Sequence, residues 1–262
     1  MQALDKIAVA GATGRVGRHA VDILRERGHE VVAMSRSTGV DLVTGAGLTE
    51  ALTGVDCVLD LASTPSPERQ AATEYFTTAT RNLHEVGERT GVRLLVVVSI
   101  IGNDRFRGGY NAAKQVHERE ALAGPVPARI LRAAQFHELV ELLVQWGTRG
   151  DVSYVPDMRT QPVAARAVAE AAIDLAFNPD GGATEPFPEI AGPREERFAD
   201  LARGLVERRG LSLRIEEGND PDDPDREMFE NGGLLPSAHA VLTGPTFDDW
   251  LTLRAAEEDA LP

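Results

Sequence analysis

Ile7-Ala-Val-Ala-Gly11-Ala-Thr-Gly14-Arg15-Val-Gly17-Arg18 is the stretch from which the rest of the chain is read. Ile7 to Ala10 is an apolar run of strand length, too short for a core helix. Gly11, Gly14 and Gly17 follow, and His19 to Arg27 takes up helical periodicity. Val16, Ala20, Ile23, Leu24 and Arg27 share one helix face, and Gly28 stops the helix. A strand, a glycine turn and a helix amino terminus together make a pyrophosphate site. Unpaired N–H groups and the helix dipole attract the anion, and the missing side chains let the backbone come close. The expected ligand is a dinucleotide held by Gly11, Thr13, Gly14, Arg15, Val16 and Gly17.

Composition narrows what else the chain can be. A formal net charge of −14 argues against a nucleic-acid partner and an anionic membrane surface. The 42% hydrophobic content supports a sizeable core, and no apolar run approaches the ~20 residues that span a bilayer. No signal peptide opens the sequence, so the expectation is a soluble, cytoplasmic protein with a small-molecule partner, as monomer or homodimer. Cys57 is the one cysteine and reads as a core residue. His19, His29, His84, His117 and His239 show no metal-ligand spacing, so no metal is expected. Lysine plus arginine total 27, yet lysine occurs only at Lys6 and Lys114. A lysine inside a candidate site of so arginine-biased a chain invites a chemical reason.

Strands and helices alternate through the first half. Glu30–Ser35 reads as the second strand, Val40–Val43 as a short third and Leu48–Leu52 as a short helix. Cys57–Leu61 is a strand ending in the loop Ala62-Ser63-Thr64-Pro65, and Glu68–Thr90 is a long helix that could build a dimer. Arg93–Ser99 is β-branched and almost continuously apolar, as in a parallel strand covered on both faces. Asn111–Leu122 reads as helix, Arg129–Arg132 as strand and Glu138–Trp146 as helix. Beyond Gly150 the pattern loosens into strands at 152–155, 188–191 and 211–215 and helices at 164–177 and 194–209. Residues 216–225 read as an acidic, proline-broken surface loop, and a capping signal at Thr246 opens a last amphipathic helix. Trp146 and Trp250 read as packing residues. The fold class is α/β, a doubly wound parallel sheet with a small carboxyl-terminal lobe. Residues 1–155 form the dinucleotide-binding core, and 156–262 a substrate-covering lobe packed as part of the same domain.

Ligands of such sheets lie beyond the carboxyl ends of the strands. That rule gathers the glycine loop, Ser35-Arg36, Ala62-Ser63, Ser99 and Ala133 to His137 onto one rim. A carboxylate closing the second strand would bind the ribose 2′-hydroxyl of NAD. Here Ser35-Arg36-Ser37 stands instead, and Arg36, with Arg15 opposite, suits a 2′-phosphate. NADP(H) is therefore expected over NAD(H). Tyr110 and Lys114 lie at positions i and i+4 of a helix, so phenol and ammonium can enter one cleft. A nearby cation would lower the phenol pKa and help Tyr110 give a proton to a carbonyl oxygen as hydride arrives. Ser99 could hold that oxygen, and Lys114 could also bond the nicotinamide ribose. Gln135, Phe136 and His137 are candidates for the substrate pocket.

Gly11-x-x-Gly14-x-x-Gly17, Ser99 and Tyr110-x-x-x-Lys114 together resemble a short-chain dehydrogenase/reductase. The glycine spacing, Thr80-Arg-Asn-Leu83 and Gln161-Pro-Val-Ala-Ala165 are similar to the extended and atypical branches, including NmrA-like NAD(P)-binding proteins. The likeness implies a Rossmann fold, a nicotinamide cofactor and Ser99, Tyr110 and Lys114 as the catalytic trio. The sequence departs from the compact branch in a shorter serine-to-tyrosine interval, an Ala-Ser-Thr-Pro loop and the lack of a catalytic asparagine. Asn82 takes a position that is structural in extended members. The implied activity is NADP(H)-dependent reduction of a carbonyl or quinone of a small organic substrate. The alternatives are a non-catalytic NADP(H)-responsive regulator and, using the same trio, an epimerase or dehydratase.

Overall fold

A computed structural model describes residues 4–178 and 182–259. In chain order the first half runs β1 (Lys6–Ala10), α1 (Gly17–Glu26), β2 (Glu30–Met34), α2 (Leu48–Leu52), β3 (Cys57–Asp60) and α3 (Arg69–Thr90). It continues with β4 (Leu94–Ile100), α4 (Gly109–Ala123), β5 (Ala128–Ala133) and α5 (His137–Gly147). The second half holds β6 (Thr148–Arg149), β7 (Val152–Val155), β8 (Arg159–Thr160), α6 (Ala165–Phe177), β9 (Glu189–Ala191) and β10 (Glu196–Arg197). Last come α7 (Phe198–Arg208), β11 (Arg214–Glu217), α8 (Arg226–Glu230), β12 (Val241–Leu242) and α9 (Phe247–Asp259).

Seven strands form one parallel sheet in the order β12-β9-β5-β4-β3-β1-β2. Alternation along each strand explains the two covered faces. Ile7, Val9, Leu94 and Val96 point to the side packed by α1 and α6. Ala8, Ala10, Leu95 and Val97 point to the side packed by α2 and α3. Each large aliphatic side chain so buried contributes about 1.5–3 kcal/mol. From β1 the chain goes first to β2 and then crosses to β3, so the topological switch lies between the ends of β1 and β3. Two small sheets, β11-β7-β6 and β10-β8, lie outside the main one. A third core, built from α5, α7 and α9 with Phe198, Phe247 and Trp250, holds them together.

Some elements differ from the reading of the sequence. Val40–Val43 is a turn, because the Asp41 carboxylate accepts the N–H groups of Val43 and Thr44 at 2.8 and 3.0 Å and outcompetes strand pairing. Asn82 pins that turn to α3, its amide donating to the carbonyls of Leu42 and Val43. The helix expected from 194 starts at Phe198, since Glu196 and Arg197 pair antiparallel with Thr160 and Arg159. The strand expected at 211–215 is shifted to Arg214–Glu217 by its parallel register with Val152–Val155. Within the acidic segment Asp225 is buried, and Trp146 is half exposed rather than packed.

Candidate active site

The glycine loop closes as a tight turn, with Gly14 N–H donating to the Gly11 carbonyl at 2.8 Å. Gly11 has φ +73°, and a Cβ on it would lie 2.8 Å from Ala62 Cα and from the Leu61 carbonyl oxygen. A Cβ on Gly17 would overlap the Gly11 carbonyl. Neither position has room for a side chain, so the close packing of the loop on itself and on the end of β3 requires glycine at both. No side chain caps the first turn of α1 and no acid lies in it, so its N–H groups and dipole are left for an anion. Thr13, Gly14 and Arg15 are exposed and Val16 is buried beneath them. The cradle fits a pyrophosphate.

Beyond β2, Ser35 caps a single 3-10 turn at Arg36–Thr38, and its hydroxyl meets that of Ser37 at 2.8 Å. Arg15 and Arg36 are exposed, and neither makes an ion pair among the described residues. The Arg36 charge is felt by Asp41, whose carboxyl is held below its ordinary range chiefly by the N–H groups of Thr44 and Val43.

Ala62 and Ser63 leave β3 at the switch point, and the Ser63 hydroxyl lies 2.8 Å from the Tyr110 hydroxyl at the start of α4. Burial raises the Tyr110 pKa, opposed by the hydrogen bond from Ser63 and reinforced by Asp60. This is opposite to the shift expected from the Tyr110–Lys114 spacing, for a geometric reason. Lys114 turns into the protein, where Nζ donates to the Val98 carbonyl at 2.8 Å and lies 2.7 Å from His117 Nδ1. Burial brings Lys114 down to about 8, with Asp60 and then Glu118 pulling the other way. Ser99 is 2% exposed, its oxygen accepting from Asn103 at 3.0 Å, while the same amide donates to Glu118 at 2.8 Å. Glu118 is in turn bound by Arg132 through two nitrogens, at 3.0 and 2.9 Å. The structure thus brings Ser63, rather than Ser99, to Tyr110.

Gln135 accepts from the Thr160 hydroxyl at 2.7 Å, and Phe136 bridges to Val163. His137 lies deeper than a pocket wall. It is 1% exposed, its Nε2 donates to the Pro245 carbonyl at 3.1 Å, and the rings of Phe247 and Trp250 cover it. Burial lowers its pKa to about 4, so it is neutral. The carboxyl-terminal helix seals it because the capping signal at Thr246 aims Phe247 and Trp250 back at α5. Two residues that the sequence reading passed over stand behind Tyr110: Asp60, 2% exposed, and His117, 1% exposed, joined at 3.0 Å. A signal for them existed. His117 follows Lys114 by three positions on the face that carries Tyr110, and Asp60 is an acid inside a buried strand.

Residues 11–137 match the family model described as NAD(P)H-binding. The segment is thus similar to NAD(P)H-binding domains, and the whole chain shares its fold with solved structures of short-chain dehydrogenase/reductase type. Among solved structures, MoeE5 in complex with UDP-glucuronic acid and NAD superposes with TM-score 0.71 at 19% identity, covering 98% of this chain and 100% of that one. A dTDP-4-dehydrorhamnose reductase from Clostridium acetobutylicum gives 0.72 at 15% identity, with 95% and 99% covered. UDP-N-acetylglucosamine 4-epimerase from Bacillus cereus gives 0.69 at 17% identity, with 98% and 97% covered. At these identities the likeness concerns the fold. No curated protein matches the chain by sequence. No helix among the described residues is long and apolar enough to cross a membrane, and no group of three His, Cys, Asp or Glu among them could hold a metal ion.

Proposed function

We propose that the protein is an NADP(H)-dependent oxidoreductase that reduces a carbonyl or quinone of a small organic substrate, with Tyr110 as proton donor. The observation that carries this reading is the 2.8 Å contact between the Tyr110 and Ser63 hydroxyls. Ser63 follows Ala62, the residue against which Gly11 of the cradle packs. A nicotinamide held by that cradle would supply the hydride. Burial raises the Tyr110 pKa, which opposes loss of its proton, so donation depends on a partner that stabilises the phenolate. As the proton leaves for the carbonyl oxygen, Ser63 can donate its own hydroxyl hydrogen to the phenolate, which offsets the charge formed. The likeness to a dehydrorhamnose reductase supports carbonyl chemistry. Arg15, and Arg36 next to Ser35, make no ion pair among the described residues, which supports the 2′-phosphorylated cofactor.

A second reading, a non-catalytic NADP(H)-responsive regulator, is favoured by one observation. Ser99 is sealed in a buried polar cluster, and two donors of Lys114 are spent inside the protein. Tyr110→Phe separates the two. The variant is expected to bind NADPH with the wild-type constant in a fluorescence titration and to lose at least about 100-fold in turnover, the scale of a lost general acid. Screening NADPH oxidation against quinones, aromatic ketones, aldehydes and keto sugars supplies the substrate. Equal turnover in the two proteins would exclude Tyr110 as the donor.

A further inference from the structure

Behind Tyr110 three buried polar side chains form a chain that the reaction above leaves without a role. The Lys114 ammonium has donors only, so the His117 Nδ1 atom, 2.7 Å away, must accept. The ring proton then resides on Nε2 and is donated to Asp60 Oδ2 at 3.0 Å. The other Asp60 oxygen accepts the Ala62 N–H at 3.1 Å, one residue before Ser63. Phe76 of α3 lies flat on the His117 ring, centroids 4.5 Å apart and planes 13° apart, and its ring centre is also 4.5 Å from Nζ. One carboxylate thereby touches both halves of the site. Through a single tautomer it orients the lysine, and through a backbone N–H it sets the loop whose serine meets Tyr110.

We propose that Asp60 and His117 are positioning residues, which hold Lys114 by a tautomer-specific relay that leaves one of its N–H groups uncommitted for a bound cofactor. Two of the three ammonium donors go to Val98 and His117, and the third has no acceptor among the described residues. The arrangement rests on the proposed function, in which Tyr110 of the same helix is the proton donor beside a bound nicotinamide. Burial of three polar groups at 1–4% exposure is costly unless each is partnered, which the relay achieves with one negative and one positive end. The titratable groups facing it are Asp60 from β3, Glu118 and His117 from α4, and Tyr75 and His84 of α3 and Tyr110 of α4, which all feel the Asp60 charge. Asp60 stays ionised, its carboxyl held low by the bond from His117 and the Lys114 charge against the opposing effect of burial.

The scarcity of lysine makes the relay directly observable. Lys6 and Lys114 alone give two resonances in protein labelled at lysine 13Cε, and Lys6→Arg assigns them. Lys114 is expected to titrate near pH 8 in the full-length protein, and in Asp60→Asn about one pH unit lower, as loss of an opposite charge dictates. His117→Phe, which keeps a flat ring on Phe76, is expected to move the resonance too. In both variants turnover at saturating NADPH should fall at least about tenfold, a kcat effect that a loss of cofactor affinity alone would not produce. Long-range 15N correlation on the wild-type protein reads the His117 tautomer without any variant, with the Nε2–H form expected. An Nδ1–H tautomer, or a Lys114 titration unmoved in both variants, overturns the relay, and unchanged turnover in both overturns its positioning role. A wild-type protein with no turnover removes the functional reading instead, while the resonances still decide the relay.

Discussion

Arg36 opens the 3-10 turn that ends β2, exposed and unpaired, beside hydroxyls already ordered by Ser35 and Thr38. A guanidinium in that position has a fork of donors and no internal acceptor, which suits a phosphate on the adenine ribose. Replacing it with alanine is expected to weaken NADPH binding about 10- to 100-fold, the equivalent of one charge-assisted hydrogen bond, and to leave NADH almost unchanged. Parallel titrations with the two cofactors check this, and an equal loss for both would remove Arg36 from the discrimination. The residue was legible in the sequence because the end of the second strand is located by counting from the glycines. The orientation of Lys114 was not, because spacing places two side chains on one face without saying which neighbour either will choose. The Val98 carbonyl and His117 offered Lys114 acceptors, whereas Tyr110 found Ser63.

At the scale of elements, α4 carries Tyr110 in its first turn, and that turn is held from outside the helix. The Asp225 carboxylate accepts the N–H of Arg107 at 2.9 Å and that of Gly108 at 2.6 Å, and no side chain caps the helix itself. The acidic stretch that reads as a surface loop thus supplies the anchor for the residue proposed to donate the proton. Asp225→Ala leaves two backbone donors without their acceptor and is expected to cost about 1–3 kcal/mol in urea unfolding. Turnover should fall further than cofactor affinity, because the glycine cradle lies on a different element. An unfolding midpoint equal to wild type would show that the contact does not hold α4. The sequence could not reveal this anchor, since residues 107 and 225 are 118 positions apart and meet only in the folded chain, where Phe106 also packs on Phe229.

For the whole molecule, buried neutral histidines set the acid limit. His137 has its pKa lowered to about 4 by burial, and burial lowers His84 and His117 in the same direction. An unfolded histidine titrates near 6.5, so below that pH the unfolded chain binds the extra protons and is favoured. The contribution of His137 is therefore complete above about pH 6.5 and is lost as pH falls toward 4, in total roughly 3 kcal/mol. Unfolding free energies measured from pH 7.5 to 4 should fall less steeply in His137→Gln than in wild type, and identical slopes would show that the histidine is already charged in the folded state. The same burial comes from Pro245 and from the Phe247 and Trp250 rings of α9, which close over His137, the Pro245 contact joining residues 108 apart in sequence.

The glycine spacing, the apolar run at Arg93–Ser99 and the strand–helix alternation determined the doubly wound sheet and the place of the cofactor cradle, because both depend on local periodicity and on which positions lack a Cβ. The turn at Val40–Val43 escaped that reading, since the side chain of Asp41 competes locally with strand pairing. Only the tertiary structure decided which polar groups meet. Ser63 reaches Tyr110, Ser99 is enclosed by Asn103, and Asp60 meets His117, each pair joining separate elements whose approach is set by packing. Hydrogen bonds of that kind depend on ångström-scale distances across the fold, and no periodicity along the chain encodes them.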